Sequence, residues 1–311
     1  MINKSVAELI GKTPILELGN IEKADGLFAK VLVKLECFNP AGSAKDRIAL
    51  HMIEKAESQG ILKEGATVIE PTSGNTGIGI AAVCASRGYK AVLTMPDTMS
   101  VERQRLLTAY GAKIVLTDGK KGMAGAVEKA IELKSQTENS VIPSQFDNPD
   151  NPETHYLTTG PEIYEQTEGK IDVFVAGIGT GGTVSGIGKY LKEKNKDIEI
   201  IGIEPADSPL ITKGIAGGHK LQGIGANFIP KNYDGSVVDE VLTVTTEQAY
   251  STAKRIAHEE GILVGITSGA AAYTAIELAK SEKYKNKTIV AFLPDGGDRY
   301  MSLGIYDGER G

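Results

Sequence analysis

Apolar positions along the chain switch repeatedly between a period of two and a period of three to four, and the switches mark out its elements. Residues 31–37 (VLVKLEC) alternate and read as the end of a strand beginning near Leu27; 15–18, 66–70, 91–95, 113–116, 171–176, 199–203 and 288–293 are further strand-like runs. Between them Ile48, Met52, Ile53 and Ala56 recur at helical spacing, predicting a helix from Lys45 to near Gly60. Helices are also predicted over 5–10, 78–87, 101–110, 125–135, 161–167, 184–194, 246–260 and 270–280, with Gly88 as a glycine stop. Strands alternating with helices at this spacing imply right-handed crossovers and parallel sheets. The stretch 143–152 (PSQFDNPDNP) reads as a domain junction, and 206–234 as loop. The fold class expected is α/β, with two doubly wound open-sheet domains.

Composition narrows the class. The 311 residues allow two domains, and 41% hydrophobic with 24% charged residues is ordinary for a globular chain. A net charge of −6 supplies no general basic surface for nucleic acid or anionic lipid. The first residues are polar and no run has the length of a membrane span, so a cytoplasmic protein is expected. Cys37 and Cys84 are expected to be buried thiols, and the four histidines show no metal-ligand spacing, so no metal is expected.

Chemistry concentrates in the turns that follow strands. NPAGSAKDR at 39–47 places Lys45 in the first turn of its helix, with Ser43 as the expected N-cap. A lysine at the positive end of a helix dipole, partly desolvated, is expected to have a lowered pKa suited to carbonyl chemistry. PTSGNTG at 71–77 puts Thr72, Ser73, Gly74, Asn75 and Thr76 between a strand and a helix, where backbone N–H groups suit a carboxylate. As an ordinary turn, the same stretch needs only Ser73 or Asn75 as a cap. GIGTGGT at 177–183 has the mechanics of a phosphate cradle. Gly177, Gly179 and Gly182 also satisfy the dinucleotide fingerprint, with Glu204 about twenty residues on, so a single phosphate and NAD both remain open. GITSGA at 265–270 sets Ser268 at a strand–helix junction, where it could simply cap the helix. LPDGGDRY at 293–300 is a polar loop read as the edge of the same crevice.

Taken in order, NPAGSAKDR, PTSGNTG, MPDTMS (95–100), the 143–152 stretch, GIGTGGT, QGIGANFIP (222–230) and GITSGA resemble the cysteine synthase (O-acetylserine sulfhydrylase) family of pyridoxal-phosphate fold type II enzymes. The resemblance covers nearly the whole chain. It implies a smaller domain at 44–148, mobile around 90–135, and a larger one from 1–43 plus 149–311, with the cofactor in the cleft between them. By the same resemblance Lys45 forms the internal aldimine with pyridoxal phosphate and removes the substrate's α-proton. Gly179, Thr180, Gly181, Gly182 and Thr183 take the cofactor phosphate, Asn75 the ring 3′ oxygen, and Ser268 the pyridine nitrogen. Thr72, Ser73, Gly74, Thr76 and Gln145 take the substrate carboxylate. A neutral hydroxyl at Ser268, where transaminases use a carboxylate, makes the ring a weaker electron sink and favours prompt β-elimination. The implied reaction is β-replacement of the acetoxy group of O-acetyl-L-serine by sulfide, through an aminoacrylate, with closure of the small domain excluding water.

Cystathionine β-synthase and sulfide-releasing cysteine lyases share these core motifs and are the nearest alternatives. Gln222 and the pair Ile266–Thr267 resemble the sulfhydrylase pattern. Asn227, where sulfhydrylases usually have glycine, and the DGGD sequence at 295–298 depart from it. Asn227 is therefore expected near the nucleophile. No haem-binding extension or regulatory domain is expected. A dehydrogenase would use the glycine fingerprint but give no role to Lys45. The partners the family implies are an amino acid and sulfide, a second copy in a homodimer, and the C-terminal tail of serine acetyltransferase.

Overall fold

A computed structural model describes residues 2–72 and 74–307, with the backbone alone at Glu102. Ten strands follow in chain order: β1 Ile15–Glu17, β2 Lys30–Leu35, β3 Thr67–Pro71, β4 Lys90–Pro96, β5 Lys113–Thr117, β6 Ser140–Val141, β7 Val173–Gly177, β8 Glu199–Pro205, β9 Glu240–Val244 and β10 Thr288–Leu293. They form two sheets, ordered β5-β4-β3-β6 and β1-β2-β10-β7-β8-β9. All pairings are parallel except the antiparallel β1–β2. The chain divides into two compact units, Met1–Ile10 with Asn39–Asn151, and Gly11–Phe38 with Pro152–Gly311.

The first unit carries the four-stranded sheet. Val68, Leu93 and Met95 of its strands bury against Ile80 of helix Asn75–Arg87 and Leu107 of helix Val101–Ala109. Strands buried on both faces read as continuous apolar runs, which is why β3 and β4 were visible in the sequence. Helix Lys45–Ser58 packs directly on helix Asn75–Arg87. The residue split differs from the expected one over the first ten residues and at 39–43 and 149–151. The short 3₁₀ turn Val6–Leu9 packs on helix Asn75–Arg87, and Ile10 lies against that unit's core.

The second unit carries the six-stranded sheet, with Val31, Val33, Val175, Ile201, Ile203 and Ala291 in its core beside Ala270, Ala271 and Ala275 of helix Ile266–Ala279. Two strands and the helices Gly19–Asp25, Asp150–Thr154 and Leu210–Lys213 had not been expected. β9 is half exposed, so its apolar pattern is weak; β6 has two residues; and helix Gly19–Asp25 buries only Ile21. Cys84 is buried, which pushes its thiol up to about 12, whereas Cys37 is only half-buried.

One ion pair ties the antiparallel edge to this unit. Lys34, fully buried on β2, donates from Nζ to the Thr13 carbonyl at 2.7 Å, Glu162 Oε2 at 2.8 Å and Gln166 Oε1 at 2.9 Å. Removing one partner of a buried pair strands the other charge and the polar groups around it. Lys34→Ala is expected to lower stability by about 3 kcal/mol or more, read as a shift of the denaturant midpoint. An unchanged midpoint would mean that the pair contributes nothing.

Candidate active site

Helix Lys45–Ser58 begins on Lys45 itself, with Ala44 as N-cap and no side-chain cap. Ser43, the expected cap, acts one place earlier: its Oγ accepts the Lys45 N–H at 3.2 Å. Asp46 Oδ2 accepts the Ala41 N–H at 2.6 Å and closes the turn that leads into the helix. Asp46 and Arg47 are buried and Lys45 is half-buried. On the neighbouring helix, a Cβ at Gly79 would lie 2.9 Å from the Lys45 carbonyl oxygen and 3.2 Å from Ala49 Cβ. The missing side chain lets the two helices meet backbone to side chain and fixes where the lysine's helix starts.

The carboxylate-type loop lies in the same unit. Helix Asn75–Arg87 starts at the end of β3 with Gly74 as N-cap and no side-chain cap, so Asn75 is not the N-cap. By contrast, Ser100 and Thr245 cap the helices that begin at Val101 and Thr246. An uncapped helix start, with its amides and the positive end of the dipole, suits an anion. Thr72 Oγ1 accepts the Gly74 N–H at 3.3 Å, and the Thr76 hydroxyl donates to Gln145 Oε1. One hydrogen bond thus joins Thr72 to Gly74 and another joins Thr76 to Gln145. Ser73 lies outside the described residues.

Gln145 is held from behind. Glu70, buried near the end of β3, accepts the Ser144 N–H at 3.0 Å and the Gln145 N–H at 3.1 Å. Asn151 Nδ2 donates to the Gln145 carbonyl at 2.8 Å. Burial pushes the Glu70 carboxyl up to about 7, the two amides acting in the opposite direction.

In the second unit the loop after β7 leads into helix Gly182–Lys194, whose N-cap, Gly181, has φ +82° and no side-chain cap. A Cβ at Gly181 would stand 2.6 Å from the Tyr233 amide nitrogen, and one at Gly179 only 2.2 Å from the Gly223 carbonyl oxygen. Glycine is required here both by the left-handed conformation and by close backbone approach. Thr180 and Thr183 are buried at the same turn. His155, in a wide π-type turn at His155–Thr159, sits with Nδ1 2.9 Å from Thr159 Oγ1 and Nε2 3.2 Å from Thr183 Oγ1. Glu204 accepts the N–H groups of Ile211 at 2.7 Å and Thr212 at 3.0 Å, and the Thr212 hydroxyl. Its carboxylate caps a short helix within the chain, which takes it from the ribose-binding role of a dinucleotide fold.

Ser268 is not a helix cap. Helix Ile266–Ala279 starts earlier than expected, on a Gly265 N-cap, and the buried Ser268 hydroxyl donates to the Asp295 carbonyl at 3.1 Å. Asp295 Oδ2 accepts the Tyr300 hydroxyl at 2.6 Å, so the polar loop after β10 holds Ser268 in place. Asn227 has φ +61°, a conformation for which glycine and asparagine are the favoured residues, and its Oδ1 accepts the Ser208 hydroxyl at 2.8 Å. The asparagine thus answers a backbone demand that glycine meets equally well.

Glu70 and His155 carry no local sequence motif, because each acts on a residue distant in the chain, whereas Asp295 lies in the LPDGGDRY loop. The available signals were an acid ending an apolar strand, TVIEP, and a histidine following the NP-rich stretch.

Uncapped helix starts, a bare-backbone phosphate cradle and a lysine at a helix start fit a phosphorylated carbonyl cofactor and an amino-acid carboxylate. Residues 6–295 match the family described as pyridoxal-phosphate dependent enzyme. Over 303 residues the chain is 55% identical to a cysteine synthase of Staphylococcus aureus (strain Mu50 / ATCC 700699), covering 97% of this chain and 96% of that one. Its structure is similar to that of cysteine synthase from Entamoeba histolytica, with a TM-score of 0.95, 41% identity, and coverage of 100% of this chain and 93% of that one. It is also similar to a hydrogen sulfide-producing enzyme from Fusobacterium nucleatum, with a TM-score of 0.90, 44% identity, and coverage of 96% and 100%. The chain belongs to the pyridoxal-phosphate dependent enzyme family, and pyridoxal phosphate is its cofactor.

Two outcomes follow from the geometry. Gly179→Ala sets a methyl group against the Gly223 carbonyl and is expected to reduce bound cofactor per chain several-fold, read from the cofactor released in alkali; full occupancy would mean that the loop is not the cradle. Glu70 titrates near 4.5 when unfolded and about 7 when folded, so the folded chain binds the extra proton between these values. Stability is expected to fall as pH rises from 4.5 to about 7, and Glu70→Gln to flatten that part of the profile. An unaltered slope in the variant would contradict the assignment.

Proposed function

We propose that the protein is a cysteine synthase that replaces the acetoxy group of O-acetyl-L-serine with sulfide, giving L-cysteine and acetate. The observation that carries this reading is the near-full-length likeness to the Staphylococcus aureus cysteine synthase. Gly179, Thr180, Gly181, Gly182 and Thr183 would hold the cofactor phosphate, Asn75 its ring oxygen and Ser268 its ring nitrogen, with Lys45 as the amine for its aldehyde. When bound, the cofactor would supply an electron sink for Cα of the substrate. Thr72, Ser73, Gly74, Thr76 and Gln145 orient the substrate carboxylate, so the Cα–H bond is presented to Lys45. The freed Lys45 amine takes that proton, acetate leaves from Cβ, sulfide forms the new bond at Cβ, and Lys45 returns the proton to Cα. A neutral Ser268 hydroxyl, oriented by the Asp295 carbonyl, puts no full negative charge near the ring nitrogen. Action in the cytoplasm, assembly as a homodimer and capture of the serine acetyltransferase tail go with the same reading.

A second reading, release of sulfide from cysteine, is favoured by the likeness to the Fusobacterium nucleatum enzyme. Steady-state rates separate the two. Cysteine formation from O-acetylserine and sulfide is expected to exceed sulfide release from cysteine, and the reverse order would favour the lyase. Lys45→Ala is expected to lower cysteine formation by about a thousand-fold or more; retained turnover would remove Lys45 from the mechanism. Asn227→Gly is expected to leave the preference for sulfide over homocysteine unchanged, since glycine suits φ +61°. A changed preference would restore Asn227 to the nucleophile's path.

A further inference from the structure

Glu70 lies two residues before the Thr72 loop, buried, and among the described residues no cation is recorded beside it. A lone buried carboxylate is an expensive way to hold a loop unless two acceptors are needed side by side. That need is visible at Ser144, whose φ of +59° is left-handed, and whose N–H and that of Gln145 are both taken by the one carboxylate. Successive amides turned together in this way form a small anion-binding concavity. Glu70 Oε2 takes the Ser144 N–H and Oε1 the Gln145 N–H, so the two oxygens are used one each. From the backbone so fixed, the Gln145 side chain reaches the Thr76 hydroxyl.

We infer that Glu70 is a positioning residue for the substrate carboxylate: it latches the Ser144–Gln145 backbone so that Gln145 and Thr76 meet as one preformed binding edge. This rests on the reading of Thr76 and Gln145 as carboxylate contacts. An amide at position 70 offers one acceptor where two are needed, and its NH₂ group would face an N–H. The latch then opens on one side and the binding edge loosens, while Lys45 and its helix are untouched. The loss falls on substrate affinity rather than on the chemistry at Cα.

The test is Glu70→Gln in the cofactor-loaded protein. KM for O-acetyl-L-serine is expected to rise about ten-fold or more with kcat nearly unchanged, and Glu70→Asp, which keeps both oxygens, to recover part of the affinity. Amide exchange gives an independent readout: the Ser144 and Gln145 N–H groups exchange slowly in the unaltered chain and faster in Glu70→Gln. An unchanged KM, or a fall in kcat alone, would overturn the proposal. If Glu70→Gln does not fold, unprotected Ser144 and Gln145 amides in the unaltered chain would overturn it on their own. Should the unaltered protein ignore O-acetylserine, the cysteine synthase reading fails, while amide exchange still reports on the latch.

Discussion

The carbonyl of Lys45 stands where a side chain on Gly79 would be, and the start of the Lys45 helix depends on that approach. A helix start cannot be moved without moving whatever it touches, so the absence of one side chain fixes the position of another residue's amine. The same economy governs the second unit, where Gly179 passes under the Gly223 carbonyl and Gly181 under the Tyr233 backbone. In both units the functional groups sit at turns after parallel strands. There the backbone must come close to its neighbours and still leave amides facing outward.

In each unit these turns offer neutral donors and dipoles rather than fixed charges. The helix starts at Asn75, Gly182 and Ile266 have glycine N-caps and no capping side chain, whereas Thr246 and Val101 begin behind a Thr and a Ser. Ser268 brings a buried neutral hydroxyl, and Glu204, the acid that a dinucleotide would require, is spent on Ile211 and Thr212. A phosphate and a carboxylate are the ligands such an arrangement suits.

Much of this was legible in the residues because buried parallel strands are continuous apolar runs and the turns after them carry glycine, serine and threonine. β10 spans the predicted residues, and β3, β4 and β8 differ from prediction by one or two at their ends. What was not legible depends on partners far along the chain. β9 is half exposed and lacks a strong pattern, and helix Ile266–Ala279 hides its start in Ile-Thr-Ser-Gly, a poor helical sequence stabilised by full burial. The first ten residues join the Asn39–Asn151 unit through packing on helix Asn75–Arg87, which no local pattern signals. Asn227 stands out in the sequence, and its positive φ is one that asparagine and glycine both favour. Glu70 and His155 were passed over because their contacts lie at Ser144, Gln145 and Thr183.

The most direct test of the central claim is the absorbance spectrum of the cofactor-loaded protein, followed through each half of the reaction. The expected result is a yellow protein whose visible band moves to longer wavelength on addition of O-acetyl-L-serine, with acetate released, and returns when sulfide is added, with cysteine formed. A band that stays in place with O-acetylserine but responds to cysteine or serine would contradict it.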